Sequence, residues 1–332
     1  MSLNTKLAIA LPTYNRAITI DFFLKTYIPV VKDHNIGIYI SNNASTDNTL
    51  EVIEKWKSVY PYIFCSGFDE TVHVDINVEN ALKLSPAEYT WLIGDGYEIP
   101  QQSLEYLLNV LPDGSDKYDF VIANLVGRIK DIDEKIYRDQ NQVLEDLAWM
   151  ITCLGCTVYH KSVIPLGDYS RYRATEFGHV GFVFDILSKL DFKLLWSPNI
   201  TIVTLKTPER KPGWGQYFLS NIFEKWPSFI SLLPDSYGAS SKAIAMRAFL
   251  QKSKLLGWRN MLTIRSQGFL NKEIYRRYEG IVSEVAPGFL KSYMLFLTYM
   301  PEGLCAFVLK RVEWIRRKNF QIRKAFNPDL RI

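Results

Sequence analysis

The feature that most restricts how this chain can fold is an alternation in its first hundred residues. Short apolar runs at Lys6–Leu11, Ile36–Ile40, Tyr62–Cys65 and Tyr89–Ile93 are separated by segments with apolar residues at helical spacing, Ile18–Val31, Thr49–Val59 and Asn77–Leu84. Strand, helix, strand, helix in this order predicts an α/β fold, a parallel sheet with helices on its faces. Ligands of such sheets bind beyond the carboxyl ends of the strands. The polar clusters Thr13–Arg16, Asn42–Asp47 and Gly94–Glu98 each follow a strand end. They are therefore expected to converge on one crevice. Thr46 or Asp47 is placed to cap the helix that starts at Thr49.

Further strands are expected at Phe120–Val126, Gly155–His160, Leu194–Trp196 and Thr201–Leu205, with a helix over Thr175–Leu190. Gly213-Trp214-Gly215 reads as a flexible loop. From Tyr217 onward the pattern is helical, broken at Pro227, Pro234, Pro287 and Pro301. A length of 332 residues suits two domains, and a boundary is expected near Lys211. With 48% hydrophobic and 22% charged residues the composition is globular rather than disordered.

Charge is unevenly spread. From Lys310 to the end, eight basic residues stand against Glu313 and Asp329, a net +6, although the whole chain carries only +4. Such a tail favours phosphate-bearing surfaces, and a solvated helix end explains it equally well. The apolar run at 7–12 is too short for a secretory leader, and the longest apolar stretch, Phe289–Leu309, is interrupted by Lys291, Pro301 and Glu302. Cys153-Leu-Gly-Cys156 has redox or zinc spacing, but no second such pair lies nearby, so Cys65, Cys153, Cys156 and Cys305 are read as core cysteines. A reduced, cytoplasmic protein is expected, with the inner face of a membrane as its other location.

Four ordered segments carry a resemblance. They are Pro12-Thr13-Tyr14-Asn15-Arg16, Asn42-Asn43-Ala44-Ser45-Thr46-Asp47-Asn48-Thr49, Val72-His73-Val74-Asp75-Ile76-Asn77 and Glu88-Tyr89-Thr90-Trp91-Leu92-Ile93-Gly94-Asp95-Gly96-Tyr97. Together they resemble the family 2 glycosyltransferases, especially bacterial members that build capsular or cell-surface polysaccharide. The resemblance implies a GT-A-type, Rossmann-like nucleotide-binding domain with a mixed central sheet over residues 1–210. Its first half, 1–100, would hold the nucleotide sugar, and 101–210 would face the acceptor. A helical domain follows over 211–332.

It also implies site residues. Pro12, Thr13, Tyr14, Asn15, Arg16, Asn42, Asn43, Asp75, Asn77, Asp95 and Gly96 would contact a nucleotide sugar, with a uridine nucleotide favoured. The family usually has Asp at position 42, accepting from the base; Asn42 still accepts through its amide oxygen, without charge. Asp47 is read as structural first, and Asn77 as a helix cap. The family's acidic motif usually holds Mg2+ or Mn2+ against the diphosphate. Asp95 matches its first position, while Gly96 and Tyr97 replace the next two acids and Glu98 follows one residue late. Three arrangements stay open: Asp95 and Glu98 together on a metal, Asp95 alone with waters or diphosphate completing the shell, or a site that works without metal or without catalysis.

An inverting transferase needs a carboxylate to take the acceptor proton. Glu176, expected in the first turn of the helix over Thr175–Leu190, is the candidate; an acid at a helix N-terminus is the plain structural alternative. His179, one turn on, would orient it or meet the acceptor, and Asp168 and Asp185 are second choices, Asp185 being better suited to pairing with a Lys. Trp214, between two glycines and next to Arg210 and Lys211, suits a lid or an ordinary linker. The C-terminal mixture of Trp314, Phe320 and basic residues fits an anionic membrane surface next to a lipid-linked acceptor, and fits a packed bundle or homodimer contact as well. The expected activity is sugar transfer from a nucleotide sugar to a glycan or lipid-linked acceptor. The competing reading is a catalytically silent protein of the same fold that binds a sugar nucleotide or a partner. A dinucleotide-dependent dehydrogenase is excluded by the missing G-x-G-x-x-G, and nucleic-acid binding rests on the tail alone.

Overall fold

The computed structural model describes residues 2–114, 116–206, 217–253, 255–285 and 288–326. Contacts divide the chain into two compact units, one of residues 1–211 and 225–249, the other of 212–224 and 250–332. The boundary expected near Lys211 lies outside the described residues. The segment 225–249 belongs to the first unit for a plain packing reason. Trp226 stacks on Phe249 at 4.5 Å between ring centroids and meets Phe177 edge-on at 5.1 Å.

The first unit is built on a sheet whose first four strands follow the sequence reading: β1 (Leu7–Thr13), β2 (Gly37–Asn42), β3 (Ile63–Gly67) and β4 (Tyr89–Leu92). They lie parallel in the order β3-β2-β1-β4. β1, β2 and β4 are almost wholly buried, as near-continuous apolar strands covered on both faces should be. Helices α1 (Ala17–Val31), α2 (Thr49–Lys57) and α3 (Val74–Leu84) make the crossovers.

The sheet then turns mixed. β5 (Tyr97–Glu98), β6 (Phe120–Leu125), β7 (Lys135–Tyr137), β8 (Thr157–His160) and β9 (Leu194–Thr204) complete it. β8 runs antiparallel between β4 and β6, β6 lies parallel to β9, and β5 and β7 pair antiparallel with β9. The two short strands expected at 194–196 and 201–205 are one, carried through Pro198 by a register shift against β6. That is how a strand accommodates a residue without an N–H. Helices α4 (Gln101–Val110), α5 (Gln140–Ile151) and α6 (Gly178–Leu187) belong to this half. The first two were not anticipated. Cys153 and Cys156 are free and buried, joined by a short 3-10 turn rather than an extended run.

After a short turn, α7 (Phe218–Ser220), the chain forms α8 (Trp226–Leu232) and α9 (Ala239–Lys252). The second unit continues with α10 (Trp258–Ser266), α11 (Lys272–Val285), α12 (Gly288–Tyr299) and α13 (Glu302–Phe326). Arg265 pins the corner between α12 and α13: its guanidinium donates to the Met300 carbonyl at 2.9 Å and to Glu302 at 3.1 Å. Met294, Leu297 and Cys305 are buried there, while Phe289, Phe296, Tyr299, Leu304, Phe307 and Trp314 face solvent.

Gly67 closes the β2–β3 ladder where no side chain fits. A Cβ there would lie 1.9 Å from the Asn42 carbonyl oxygen, which already accepts from the Phe68 N–H. Gly67→Ala must therefore push apart two strands rather than a flexible side chain. It should lower stability by ~1–3 kcal/mol, measured by urea denaturation. Unchanged stability would show that the β2–β3 edge yields freely.

Candidate active site at the strand tips

The ends of β1, β2 and β4 are stitched into one surface by short polar side chains. Thr13 pairs in register with Asn42. The turn after β1 places Asn15 in the left-handed region, φ 50°, where Asn is tolerated better than most residues. Its N–H donates to Ser45 Oγ at 2.9 Å, and its Oδ1 accepts from the Thr46 N–H at 2.7 Å. Asp47 accepts from the Ala17 N–H and the Thr49 N–H, each at 3.1 Å, and so serves the N-termini of α1 and α2 together. Burial pushes its carboxyl up, but hydrogen bonds from the Thr49 hydroxyl and these N–H groups outweigh it and hold the group below its usual range. Asn42 is buried, and its Oδ1 accepts from the Ser45 N–H at 3.3 Å. Tyr14, by contrast, is 45% exposed.

Two of the expected contact residues are built into the scaffold. Asn43 exchanges two hydrogen bonds with the backbone of Val72, at 2.9 and 2.8 Å, and anchors the segment leading into α3. Asn77 does not cap its helix. It lies buried within α3, donating to the Thr13 carbonyl at 3.2 Å and accepting from Ser41 Oγ at 2.6 Å. The helix begins three residues earlier than the apolar spacing suggests, because His73 caps it through Nδ1, which accepts from the Asp75 N–H at 3.3 Å.

Asp95 is bound on both oxygens. Arg16 Nε meets Oδ2 at 2.7 Å and Arg16 Nη2 meets Oδ1 at 3.0 Å, a bidentate fork joining the turn after β1 to the turn after β4. Gly96 is open: a Cβ there would meet nothing within 4 Å. Tyr97 has its ring beside Gly94 and its hydroxyl near the Cys153 thiol. Glu98 is next to Tyr97 on β5, on the opposite face, and its charge reaches the buried Tyr27 of α1. Among the described residues no group of three or more His, Cys, Asp or Glu side chains is arranged to hold a metal ion. Of the expected pair, Asp95 is held by a guanidinium, and Glu98 lies one strand residue beyond Tyr97. A cavity of about 310 Å³ opens at the start of α1, lined by Asn15, Arg16, Asp47 and Asn48 among others. Asn42, Asp75 and Asp95 do not line it, so it lies beside the crevice.

The acceptor side departs from expectation at three positions. Glu176 is not in the first turn of a helix. Residues Ser170–Thr175 form a 3-10 turn, Glu176 follows it in the left-handed region at φ 63°, and α6 starts only at Gly178. Thr175 forces this break, its Oγ donating to the Tyr172 carbonyl at 2.6 Å and accepting from the Phe177 N–H at 3.1 Å. The Glu176 carboxylate pairs with Lys225 at 2.8 Å. His179 is bonded away from Glu176. Its Nε2 donates to the Thr152 carbonyl at 3.2 Å, and burial pushes its pKa down to about 4, so it is a neutral structural group. Asp168 is likewise structural, accepting from the Ser170 N–H at 2.7 Å, and Asp185 pairs with Lys189 as expected. Trp214 lies outside the described residues.

Asp75 gained importance instead. It is 2% exposed, its Oδ2 has no hydrogen-bond partner, and it lies against Gly178, where a Cβ would come within 2.4 Å of the carboxyl. Burial, with the nearby Glu176 charge, pushes its pKa up to about 7, against a smaller opposing pull from Arg173. Neither Arg173 nor Lys225 carried a sequence signal, since Lys225 meets Glu176 across 49 residues of chain.

Comparison with known proteins agrees with this geometry. The family model described as "Glycosyl transferase family 2" matches residues 8–186. Abequosyltransferase RfbV of Salmonella typhimurium (strain LT2) is 30% identical over 114 residues, a segment that spans 34% of each chain. The match thus covers only about a third of that relative's length. Among solved structures, the mannosyltransferase PcManGT from Pyrobaculum calidifontis, in complex with GDP-Man and Mn2+, aligns over 92% of this chain and 87% of its own, with a TM-score of 0.55 and 13% identity. Residues 1–349 of TarS from S. aureus, in complex with UDP-GlcNAc, align over 88% of both chains with a TM-score of 0.50 and 12% identity. These likenesses establish the GT-A fold.

The carboxyl of Asp75 has a measurable signature. Between its ordinary value of 3.8 and about 7, the folded protein keeps a proton that the unfolded chain has released. Stability therefore falls as pH rises through that window and levels off above it. Asp75→Asn, which keeps the shape without the charge, should match the parent near pH 4 and exceed it at pH 8 by up to roughly 4 kcal/mol. Urea denaturation at several pH values measures this, and parallel stability profiles would show that Asp75 ionises normally.

Proposed function

Because this chain belongs to glycosyl transferase family 2, we propose that it moves a sugar, with inversion, from a nucleotide diphosphate sugar to a hydroxyl of a glycan or lipid-linked acceptor in surface polysaccharide assembly. The observation that carries the reading is the gathering of Thr13, Asn15, Arg16, Asn42 and Asp95 on the joined tips of three neighbouring parallel strands. Short polar groups and a guanidinium at strand ends are what a ribose and a diphosphate need. Tyr14, half out in solvent, offers a ring for the base to stack on. A uridine nucleotide is the first choice of donor, with Asn42 accepting from the base through the second lone pair of its amide oxygen. The names of the relatives support a nucleotide-sugar donor without fixing the base, since one neighbour binds UDP-GlcNAc and another GDP-Man.

Glu176 is the proposed base. Its carboxylate is 40% exposed, within reach of an incoming hydroxyl, and Lys225 holds it in place. It takes the acceptor proton as the oxygen attacks the anomeric carbon from the face opposite the leaving group. The bond from that carbon to the diphosphate oxygen breaks, and the nucleoside diphosphate leaves with the electron pair. The buried Asp75 beside it, protonated near neutrality, limits the negative charge around Glu176. The competing reading, a silent sugar-nucleotide-binding protein, draws on Gly96 and Tyr97 standing where the family has acids. Release of nucleoside diphosphate only when acceptor is present distinguishes the two.

The acceptor side of the proposal includes a membrane surface. No single helix among the described residues is long and apolar enough to cross a membrane, but α12 and the first part of α13, bent by 118°, are apolar enough together. Leu304, Phe307 and Trp314 recur on one side of α13, all exposed, with Arg311 over Phe307 and Lys318 over Trp314. Aromatic rings interleaved with cations suit the headgroup level of an anionic bilayer.

Two outcomes test these assignments. Glu176→Gln should leave nucleotide binding intact and slow transfer at least ~100-fold, by single-turnover assay; an undiminished rate removes Glu176 as base. Replacing Phe307 and Trp314 by Ser should cut co-sedimentation with phosphatidylglycerol vesicles several-fold while leaving the melting curve alone. Equal sedimentation would remove α13 from the membrane.

A further inference from the structure

We propose that Cys153 and Cys156 are a thiol pair that hydrogen peroxide closes to a disulfide, and that closure weakens nucleotide binding at the turn of residues 94–97 above it; the second half rests on the family reading. The backbone already brings the two residues together. The Cys156 N–H donates to the Cys153 carbonyl at 2.9 Å. A four-residue turn closed in this way holds its end Cα atoms within about 7 Å, and a disulfide spans about 4.4–6.8 Å between Cα atoms. The two thiols lie close enough to share a hydrogen bond. Closing the bond therefore needs little beyond movement of the two side chains.

The two sulfurs are unlike. Burial pushes both thiols up. At Cys153 it is outweighed by hydrogen bonds from Cys156, the Tyr97 hydroxyl and the Gly155 N–H, with help from the Arg128 charge, and the thiol is held below its ordinary range. At Cys156 burial wins, and the thiol is pushed well up. Exposure follows the same order, 8% for Cys153 and none for Cys156, so a small oxidant meets Cys153 first. The Cys153 thiolate attacks one oxygen of the peroxide, the O–O bond breaks and hydroxide leaves with the electron pair, giving a sulfenic acid. The Cys156 sulfur then attacks the Cys153 sulfur, and the thiol proton and the sulfenic hydroxyl leave as water. The pair loses two electrons and the peroxide gains them. A dithiol reductant reverses the closure.

The same turn is packed against the strand tip that carries Asp95. A Cβ on Gly155 would lie 2.8 Å from Ile202 of β9 and 3.4 Å from Ile93 at the end of β4, so this backbone fits only without a side chain. The Gly155 carbonyl accepts from the buried Trp91 Nε1 of β4 at 2.9 Å. A Cβ on Gly94 would meet the Tyr97 ring at 3.6 Å and Leu154 at 3.7 Å, so ring and thiol turn flank one piece of chain. Residues 94–97 are themselves closed by the Tyr97 N–H on the Gly94 carbonyl at 3.1 Å. Burial and the Cys153 charge push the Tyr97 hydroxyl up, so it stays protonated and faces the thiolate as a donor. A disulfide sulfur carries no charge and accepts weakly. Oxidation thus removes a charged acceptor from the residue that follows Asp95 and Gly96.

The test treats the reduced full chain with hydrogen peroxide and maps its cysteines by mass spectrometry. The peptide holding Cys153 and Cys156 should lose two hydrogen atoms before the half-buried Cys65 gains oxygen, and dithiothreitol should restore it. In Cys156→Ser the reaction should stop at a Cys153 sulfenic acid that dimedone traps, and in Cys153→Ser the Cys156 thiol should stay unmodified. Calorimetric titration with UDP, GDP, CDP and dTDP should show the oxidised wild type binding its preferred nucleotide several-fold more weakly than the reduced protein. Dithiothreitol should recover the loss, which separates it from methionine oxidation. The wild-type mapping stands even if a serine variant fails to fold, and melting curves show whether it has. Oxidation of Cys65 with the pair still reduced, or of Cys153 past the sulfenic acid with no disulfide, overturns the inference. A disulfide that leaves nucleotide affinity within about twofold overturns its link to the turn. Reduced protein that binds none of the four nucleotides overturns the family reading instead, and the mapping still judges the thiol pair.

Discussion

A guanidinium gripped by both oxygens of one carboxylate ties the turn after β1 to the turn after β4. The pair is half-sheltered, with side-chain exposures of 29% for Arg16 and 14% for Asp95, so it is screened less than a surface ion pair. Its position matters more than its strength. Arg16 is the residue from which α1 starts, and its own N–H donates to the Thr49 hydroxyl at the head of α2. The ion pair therefore couples one strand tip to two helix N-termini. Asp47, shared between those same helices, and Asn15, bonded across to Thr46, close the arrangement. The donor face is thus preformed by hydrogen bonds among residues that also belong to the proposed donor site, and no separate scaffold holds it.

The start of α3 and the turn before α6 are built on different physics. There a carboxylic acid is buried against a glycine, and the charge it would carry is disfavoured by desolvation and by a second acid nearby. Gly178 is needed because nothing larger fits beside Asp75. Glu176 stays accessible because Thr175 ends the 3-10 turn one residue earlier and Phe177 anchors the next one in the aromatic cluster with Trp226 and Phe249. One residue between two such anchors is forced into the left-handed region, a costly conformation for Glu that tends to be kept where it aims a side chain. Neutral His179 and Asp185, paired with Lys189, lie in the helix that follows.

Much of the nucleotide half was legible in the residue order. The parallel strands β1 to β4 and the polar clusters at their ends follow from apolar runs and turn residues, which act over a few neighbours and need no tertiary information. The roles of Asp47 as a cap of α2 and Asp185 as a lysine partner were legible for the same reason, since each acts within about a turn, whereas the bond from the Ala17 N–H to Asp47, across 30 residues, was not. What only the tertiary structure decided were the matters set by contacts between distant positions. Asn77 was taken from cap to strand tie by Thr13 and Ser41, His179 was turned inward by Thr152, and Glu176 was paired with Lys225 across 49 residues. Asp95 was claimed by Arg16 across 79 residues. A side chain's partner at that separation depends on how helices and sheet pack together, and no local pattern of residues encodes it.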